Sequence, residues 1–528
     1  MRLAALTLTA GSMATILLLV GGTLPRTCKL TIELVDADSG KPLAGLVRLE
    51  HAEGQPVPLE GLVSRGLGLG DGSPISRWSV VLERDTVNVP REKLSLEAVQ
   101  GLETELARVS LDPSDQDQVT VKIPLRRFYR PGLKGYRSAN THLHLMKLPR
   151  DQADRYLREI PRADGLDIVF LSYLERAGDD REYISNRYTK ADLQSLSASA
   201  ILFGNGEEHR HNFTAQGEGY GHVMLLDIQK LVQPVSIGPG IMKQGTDGIP
   251  MQRGIDTARG DGATVLWCHN NWGMEDVPNW VSGRLDAQNI FDGGTHGSYK
   301  DSFYRYLNAG LRVPFSTGTD WFLYDFSRAY VHSPGPLSVQ SWLRALAAGK
   351  SYITNGPFLE LSVSGKDLGE VVSLPNAGNV QITGRAVGRV DFQRVELVQN
   401  GRVVHSAGSR SRAGHFVAEI SLSLKVTEPC WLALRIPPPP IPEDPQLQAA
   451  VPLNELGQPL FAHTSPIYVE LGGKAVFDPA VAKDLLAEVE RNRSLIAQEA
   501  LFANDDERAA VLDVHTRAIE TLRQRLGQ

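Results

Sequence analysis

The sequence predicts a multidomain α/β protein: a β/α barrel between two β-sandwich domains, closed by a helical C-terminal segment. Three observations predict it. Residues 28–130 and 357–472 hold runs with period-2 alternation, as strands with one buried face do. Residues 131–356 hold short Val/Ile/Leu/Phe-rich runs without alternation, as strands buried on both faces do. Residues 473–528 place Leu485, Val489, Leu495, Ile496, Leu512, Ile519 and Leu522 near helical spacing. At 528 residues the chain exceeds one ordinary domain.

Taken in order, residues 1–27 come first. Met1-Arg2 is followed by LAALTLTAGSMATILLLVGGTLP, a short basic start and an apolar stretch ending in small residues. This reads as a secretory signal peptide, or as a retained N-terminal anchor, since spanning a bilayer needs about 20 apolar residues. Either way the rest of the chain is expected outside the cytoplasm, periplasmic or extracellular, touching a membrane only through an uncleaved anchor. The next region (28–130) opens with LTIELVDADSGKPLAGLVRLE, which alternates on both sides of an Asp-Ser-Gly turn, and closes with DQVTVKIPLRRFY.

The middle region has seven apolar runs: NTHLHL, DIVFLSYLE, AILFGNGEE, GHVMLLDI, TVLWCHNN, NIFDGG and VPFSTGTD. Many carry or end in a residue capable of chemistry: His144, Glu175, Glu208, His269, Asp292 and Asp320. In a parallel β/α barrel the active site lies at the C-terminal strand ends, so strand-end His, Glu and Asp fit that arrangement. Residues 357–472 return to alternation in LELSVSG, VQITGRAV, RVELVQNGRVV, HFVAEISLSL and CWLALRI. Asn400-Gly401 marks a hairpin, and four prolines at 437–440 mark a loop.

Composition excludes some functions. Lys+Arg is 55 against Asp+Glu 61, a net charge of -6 without a like-charge block, so no nucleic-acid partner is expected. Three cysteines, Cys28, Cys268 and Cys430, cannot make a disulfide framework. The β-domains carry no clustered ligand-type residues; His405, His415 and His463 stand alone and read as surface or turn residues.

The chemistry concentrates in the barrel region. His142-Leu143-His144 is an H-x-H, and on a strand alternate residues share a face. Gly206-Glu207-Glu208, Gly221-His222, Trp267-Cys268-His269 and Gly318-Thr319-Asp320 follow. Only one of Glu207 and Glu208 can face inward. Imidazole with carboxylate suits a divalent transition metal, Zn, Mn or Fe. Cys268 is expected to face away from His269 and pack in the core. Gly318 is expected to turn the backbone tightly so that Asp320 reaches the barrel mouth. His209 and His211 are candidate substrate contacts or orienting groups, or loop residues. Arg176, Arg210 and Arg328 are candidate anion contacts, or surface ion pairs. Trp272, Trp280 and Trp321 are candidate pocket walls, or core.

The ordered set H-x-H, G-x-E, G-H, H-N and G-T-D resembles the PHP (polymerase and histidinol phosphatase) superfamily. FSTGTDWFLYDFSRAYV, LRALAAGKSYITNGPFLELSVSGKDLGE and GYRSANTHLHL look like its secreted, carbaryl-hydrolase-like branch. The N-terminal β-region more weakly resembles carboxypeptidase regulatory-type sandwiches. The resemblance implies a distorted seven-stranded barrel with metal ligands at His142, His144, Glu208, His222, His269 and Asp320. Three positions depart from the family pattern. Asn140 stands where the family often has Asp. Ser172-Tyr173-Leu174-Glu175 replaces Thr-Asp-His, making Glu175 a substitute ligand. Trp321-Phe322 follows Asp320 in place of Asp-x-His. One or two ions are therefore expected.

The implied activity is metal-dependent hydrolysis of a phosphoester or an amide/carbamate ester, with His142, His144, Glu208 and Asp320 at the reaction centre. The substrate would be a small or envelope-derived molecule. The rival reading is a non-catalytic exported envelope or glycan-binding protein on a degraded barrel.

Overall fold

The computed structural model describes residues 27–70, 72–176, 178–197, 201–213, 219–240, 245–269, 273–292, 298–439 and 451–528. Of the leader expected at 1–27, all but Thr27 lies outside the described residues, as do Trp272 and Pro440. The chain folds as a multidomain α/β protein, rich in sheet, with a helical C-terminal segment.

The N-terminal region is two sheets. Thr27–Asp36 is the centre of one, with Arg84–Pro90 antiparallel and Gln118–Leu125 parallel to it. Ser79–Val81, Gly45–His51, Leu94–Val99 and Ala107–Leu111 form the other. Alternation along the first strand turns Cys28, Leu30, Ile32 and Leu34 inward, where they share a core with Val47, Leu49 and Leu96 of the second sheet. The second sheet's other face, with Leu46, Trp78 and Val99, packs with Leu157 and Ile160 of helix Arg150–Ala163. That face explains why Gly45–His51 is buried on both sides.

The middle region closes on itself. Tyr136–His144, Ile168–Tyr173 and Leu202–His211 pair in parallel. Thr264–Cys268, Ala287–Asn289 and Phe315–Ser316 also run parallel to one another. Asp320–Trp321 then pairs in parallel with Leu143 and His144 of the first strand. The fourth run departs from a fully parallel barrel: Gly221–Leu226 is antiparallel to both its neighbours. The short connection 212–220 leaves too little chain for a crossover, which needs a dozen or more residues.

The predicted boundary at 356/357 divides a continuous sheet. Arg328–His332 pairs antiparallel with the start of the first barrel strand, then with Ser351–Thr354, which pairs with Ala462–Thr464. The C-terminal β-region is thus hydrogen-bonded to the barrel sheet, while Phe358–Val363, Gly378–Gly388, His415–Val426 and Arg410–Arg412 form a separate sheet. Asn400 and Gly401 take positive φ (47° and 86°) between Arg394–Gln399 and Arg402–Gly408, as a two-residue hairpin requires. His463, read as a surface residue, is fully buried. Its Nδ1 donates to the Thr464 carbonyl at 2.8 Å and its Nε2 accepts from Tyr304 at 2.6 Å.

Two helices, Pro479–Glu499 and Asp505–Leu526, form the C-terminal hairpin. Asp478 and Asn504 cap their N-termini, and Gly527 ends the second at φ 71°. Leu485, Val489, Ile496 and Leu522 pack with Ile255 and Trp280 of the barrel region; Leu495 is exposed instead. Among the described residues no helix is long and apolar enough to cross a membrane.

Candidate metal centre

Strand geometry assembles the site. His142 and His144, two residues apart, point to the barrel interior, while Leu143 joins the outer core. On Leu202–His211 the inward residues are Glu208 and Arg210. Glu207 and His209 face outward: Glu207 Oε1 lies 3.0 Å from His209 Nδ1 and its Oε2 accepts the Val232 N–H at 2.7 Å. His209 reaches the bare Gly254 of helix Met251–Gly260, where a Cβ would sit 2.1 Å from its Nε2. The Glu207/Glu208 alternative therefore resolves to Glu208. Because Gly221–Leu226 is antiparallel, its beginning lies at the mouth, which brings His222 beside Arg210. Asp320 takes a left-handed conformation (φ 60°), tolerated by Asp. Gly318 serves by close approach rather than by a positive-φ turn: a Cβ there would lie 2.6 Å from the His142 backbone nitrogen.

His142, His144, Glu208 and Asp320, all buried, bring four ligand atoms together. His142 Nε2 and His144 Nε2 are 3.0 Å apart. Glu208 Oε2 lies 3.2 Å from His144 Nε2 and 3.9 Å from His142 Nε2. Asp320 Oδ1 lies 3.3 and 3.5 Å from those two nitrogens. Ligands about 2.1 Å from a tetrahedral ion would be about 3.4 Å apart, so the separations fit one ion. Glu208, His222 and His269 form a second group. Glu208 Oε1 lies 3.6 Å from His222 Nδ1, and Asp320 Oδ2 lies 4.0 Å from His269 Nε2. Each carboxylate thus turns one oxygen to each group.

The protons tell the same story. His142 Nδ1 faces Asp292 Oδ2 at 2.8 Å and His269 Nδ1 faces Asp292 Oδ1 at 2.7 Å. His144 Nδ1 faces the Ser172 carbonyl at 2.9 Å. Carboxylate and carbonyl oxygens only accept, so each Nδ1 carries hydrogen, and each ring, once its Nε2 proton is given up, presents a lone pair inward. With the imidazoles neutral, four lone-pair atoms converge with no donor among them, a set that fits a cation in place of the protons. Asp320 Oδ1 and His222 Nδ1 are buried without a hydrogen-bond partner among the described residues.

Electrostatics follow. Burial presses the His142 imidazolium toward neutrality, but the charge of Asp320, the bond to Asp292 and the nearby Glu208 carboxylate outweigh it and lift its pKa well above the ordinary value. Burial likewise opposes a raised pKa at His269, and Asp292 overcomes it. Burial would raise Glu208, yet Arg210, whose Nη1 donates to Oε1 at 3.1 Å, and the two histidines hold it well below the carboxylate range. Burial and Arg210 together push His222 well down. Burial would raise the Asp292 pKa, but the two histidines, His269 first and then His142, outweigh it and hold the carboxyl well below the usual range.

Other expected residues fall elsewhere. Glu175 is not in the cluster: it accepts from Arg181 at 2.6 Å and from Tyr173 at 3.1 Å. The strand ends at Tyr173, so alternation does not carry Glu175 inward. Asn140 accepts the His142 N–H and donates to Thr319 Oγ1 at 2.8 Å, tying the first strand to the Asp320 segment. Cys268 comes within the site, in one group with His142 and His269, because the paired strand ends there. Burial, then the charges of Asp292, Glu208 and Asp320, raise its thiol pKa well above the usual range. Arg328 is structural, donating to the Phe326 and Asp164 carbonyls. Trp280 is core. Trp321 lies at the site, its ring 5.4 Å from that of His144 and 4.8 Å from the Arg176 guanidinium carbon. Asp292 was absent from the expected ligand set; its position at a strand end was the only available signal. Comparison with protein-family models, curated proteins and solved structures finds no match for this chain, and the geometry of the site carries its functional reading.

Proposed function

We propose that the chain is a metal-dependent hydrolase on a PHP-like barrel, of the secreted carbaryl-hydrolase-like kind, acting on a phosphoester or an amide/carbamate ester. One observation carries the reading: His142 Nε2, His144 Nε2, a Glu208 oxygen and an Asp320 oxygen converge as lone-pair donors with every Nδ1 proton directed away. One or two divalent ions, Zn, Mn or Fe, held there would supply Lewis acidity and lower the pKa of water toward ~7. Asp292 and the Ser172 carbonyl orient the imidazoles. Arg210 keeps Glu208 ionised. Trp321 and Arg176 stand where a substrate would approach His144. Glu175, paired with Arg181 away from the centre, adds no ligand, which is the feature favouring the rival reading of a non-catalytic exported protein. The leader-like N-terminus supports export, with the leader cleaved or kept as an anchor.

The test is elemental analysis after stripping and reconstitution with Zn, Mn and Fe, with turnover of p-nitrophenyl phosphate and an aryl N-methylcarbamate. At least one tightly bound ion is expected, lost in His142→Ala/His144→Ala together with turnover. Less than one ion per chain in the unaltered protein sinks the reading.

A further inference from the structure

We infer that the C-terminal helical hairpin holds the Glu208/His222/His269 half of the centre in place, with Asp247 as the positioning residue. The inference rests on the metal-centre reading. Asp247 is 2 % exposed and joins three parts of the chain. Its backbone N–H donates to the Leu501 carbonyl at 2.7 Å, and its Oδ2 accepts the Leu501 N–H at 2.8 Å. Leu501 lies between the two C-terminal helices. The Asp247 carbonyl accepts from the Tyr220 hydroxyl at 2.7 Å. Its Oδ1 lies 2.9 Å from His211 Nε2.

These contacts reach the ligands within two or three residues. His211 follows Arg210 and Glu208 on one strand, and Tyr220 precedes His222 on the next. The two rings stack at 3.7 Å, and His211 Nδ1 accepts the Tyr220 N–H at 3.1 Å. The hairpin grips from the other side as well. Met274 and Glu275 donate backbone N–H groups to the Gly219 and Tyr220 carbonyls, and the Met274 carbonyl accepts from His515 Nε2 at 3.1 Å. Glu507 accepts from Thr246 Oγ1 at 2.8 Å, and Gly248 passes so close that a Cβ would lie 2.1 Å from Glu507 Oε2. Both segments that flank Tyr220–His222 in space are thus tied to the hairpin. Among the described residues no hydrogen bond or ion pair ties the Tyr136–His144 strand to the hairpin.

Leu501 offers a clean test because its side chain is 55 % exposed and its backbone N–H makes the bond. Leu501→Pro removes that N–H; Leu501→Ala keeps it. Ala500 is extended (φ -71°, ψ 143°), as a residue before proline should be. Hydrogen exchange on metal-free protein reads residues 220–224, and reconstitution with Zn alone reads bound ions. In Leu501→Pro, exchange at 220–224 should quicken at least tenfold with Leu143 and His144 unchanged, and bound Zn should fall below that of the unaltered protein. Leu501→Ala should match the unaltered protein in both. If Leu501→Pro does not fold, Asp247→Ala removes the side-chain acceptor of the Leu501 N–H from the barrel side, with the same expectations. Exchange at 220–224 within twofold of the unaltered protein, in whichever variant folds, overturns the inference. If the unaltered protein binds no Zn, the metal reading fails, and the exchange measurement still decides the hairpin's role.

Discussion

Replacing Asp292 with asparagine changes one atom and should disable two ligands. Each carboxylate oxygen serves one imidazole, at 2.8 Å for His142 and 2.7 Å for His269. Asparagine keeps one acceptor and turns an NH₂ donor toward the other ring. That ring must either lose its partner or shift its proton to Nε2, the atom proposed to bind the ion. A lost orienting partner typically costs 10–100-fold in metal affinity. With two ligands tied to one carboxylate, the upper end applies: about 100-fold, or ~2.7 kcal/mol. The apo protein should respond too. Asp292 helps lift the His142 and His269 pKa values against burial, so both should fall in the variant. The assay is competition against a chromophoric chelator at fixed pH, with circular dichroism to show that the fold survives. Affinity within twofold of the unaltered protein, in a folded variant, would refute the claim that Asp292 sets both tautomers.

Asp320→Asn should keep the fold and lose more than tenfold in metal affinity, measured by the same competition; an unchanged affinity returns Asp320 to a structural role. Metal binding itself should weaken as pH falls, because protons compete for His142, whose pKa is raised; a titration with affinity flat from pH 8 to 5 would contradict this. Burial raises Glu275 from 4.5 to about 7 against hydrogen bonds from Gln252 and Met251. The folded state then holds a proton that the unfolded state has lost between those values. Unfolding free energy should therefore fall as pH rises through that window, by up to about 3 kcal/mol, and level off above it; urea titrations of Glu275→Gln should show a flatter profile. Arg65 forms a buried pair with Asp164, Nε to Oδ1 at 3.1 Å and Nη2 to Oδ2 at 2.7 Å. Arg65→Ala strands that carboxylate and should cost about 3–5 kcal/mol in denaturant unfolding; a loss below 1 kcal/mol would mean the site relaxes to admit water.

What was legible in the sequence was whatever depends on local period. Alternation marked Cys28, Leu30, Ile32 and Leu34 as one inward face, and the same rule put His142 and His144 on one side. Asn400-Gly401 announced its hairpin through backbone chemistry alone. What stayed hidden depends on closure. Which of Glu207 and Glu208 faces inward follows from the register against Gly221–Leu226, a long-range fact. Asp292 reads as any strand-end acid until closure sets it between His142 and His269. His144 is oriented by the Ser172 carbonyl, and no side-chain pattern records a main-chain acceptor. Glu175 was expected inward because a motif position was extended past the strand's last residue. His463 looked isolated because its partner, Tyr304, is distant in sequence.

The hydrogen bonding of Ser351–Thr354 to Ala462–Thr464 bears on how this protein can be divided. A fragment ending at 356 looks natural from composition, yet it would leave Ser351–Thr354, a strand buried in the whole chain, with a bare row of amide and carbonyl groups. Such an open edge is a template for another chain. Shortened forms should therefore fail first by edge-to-edge self-association, visible as concentration-dependent aggregation, even where the barrel retains its own packing.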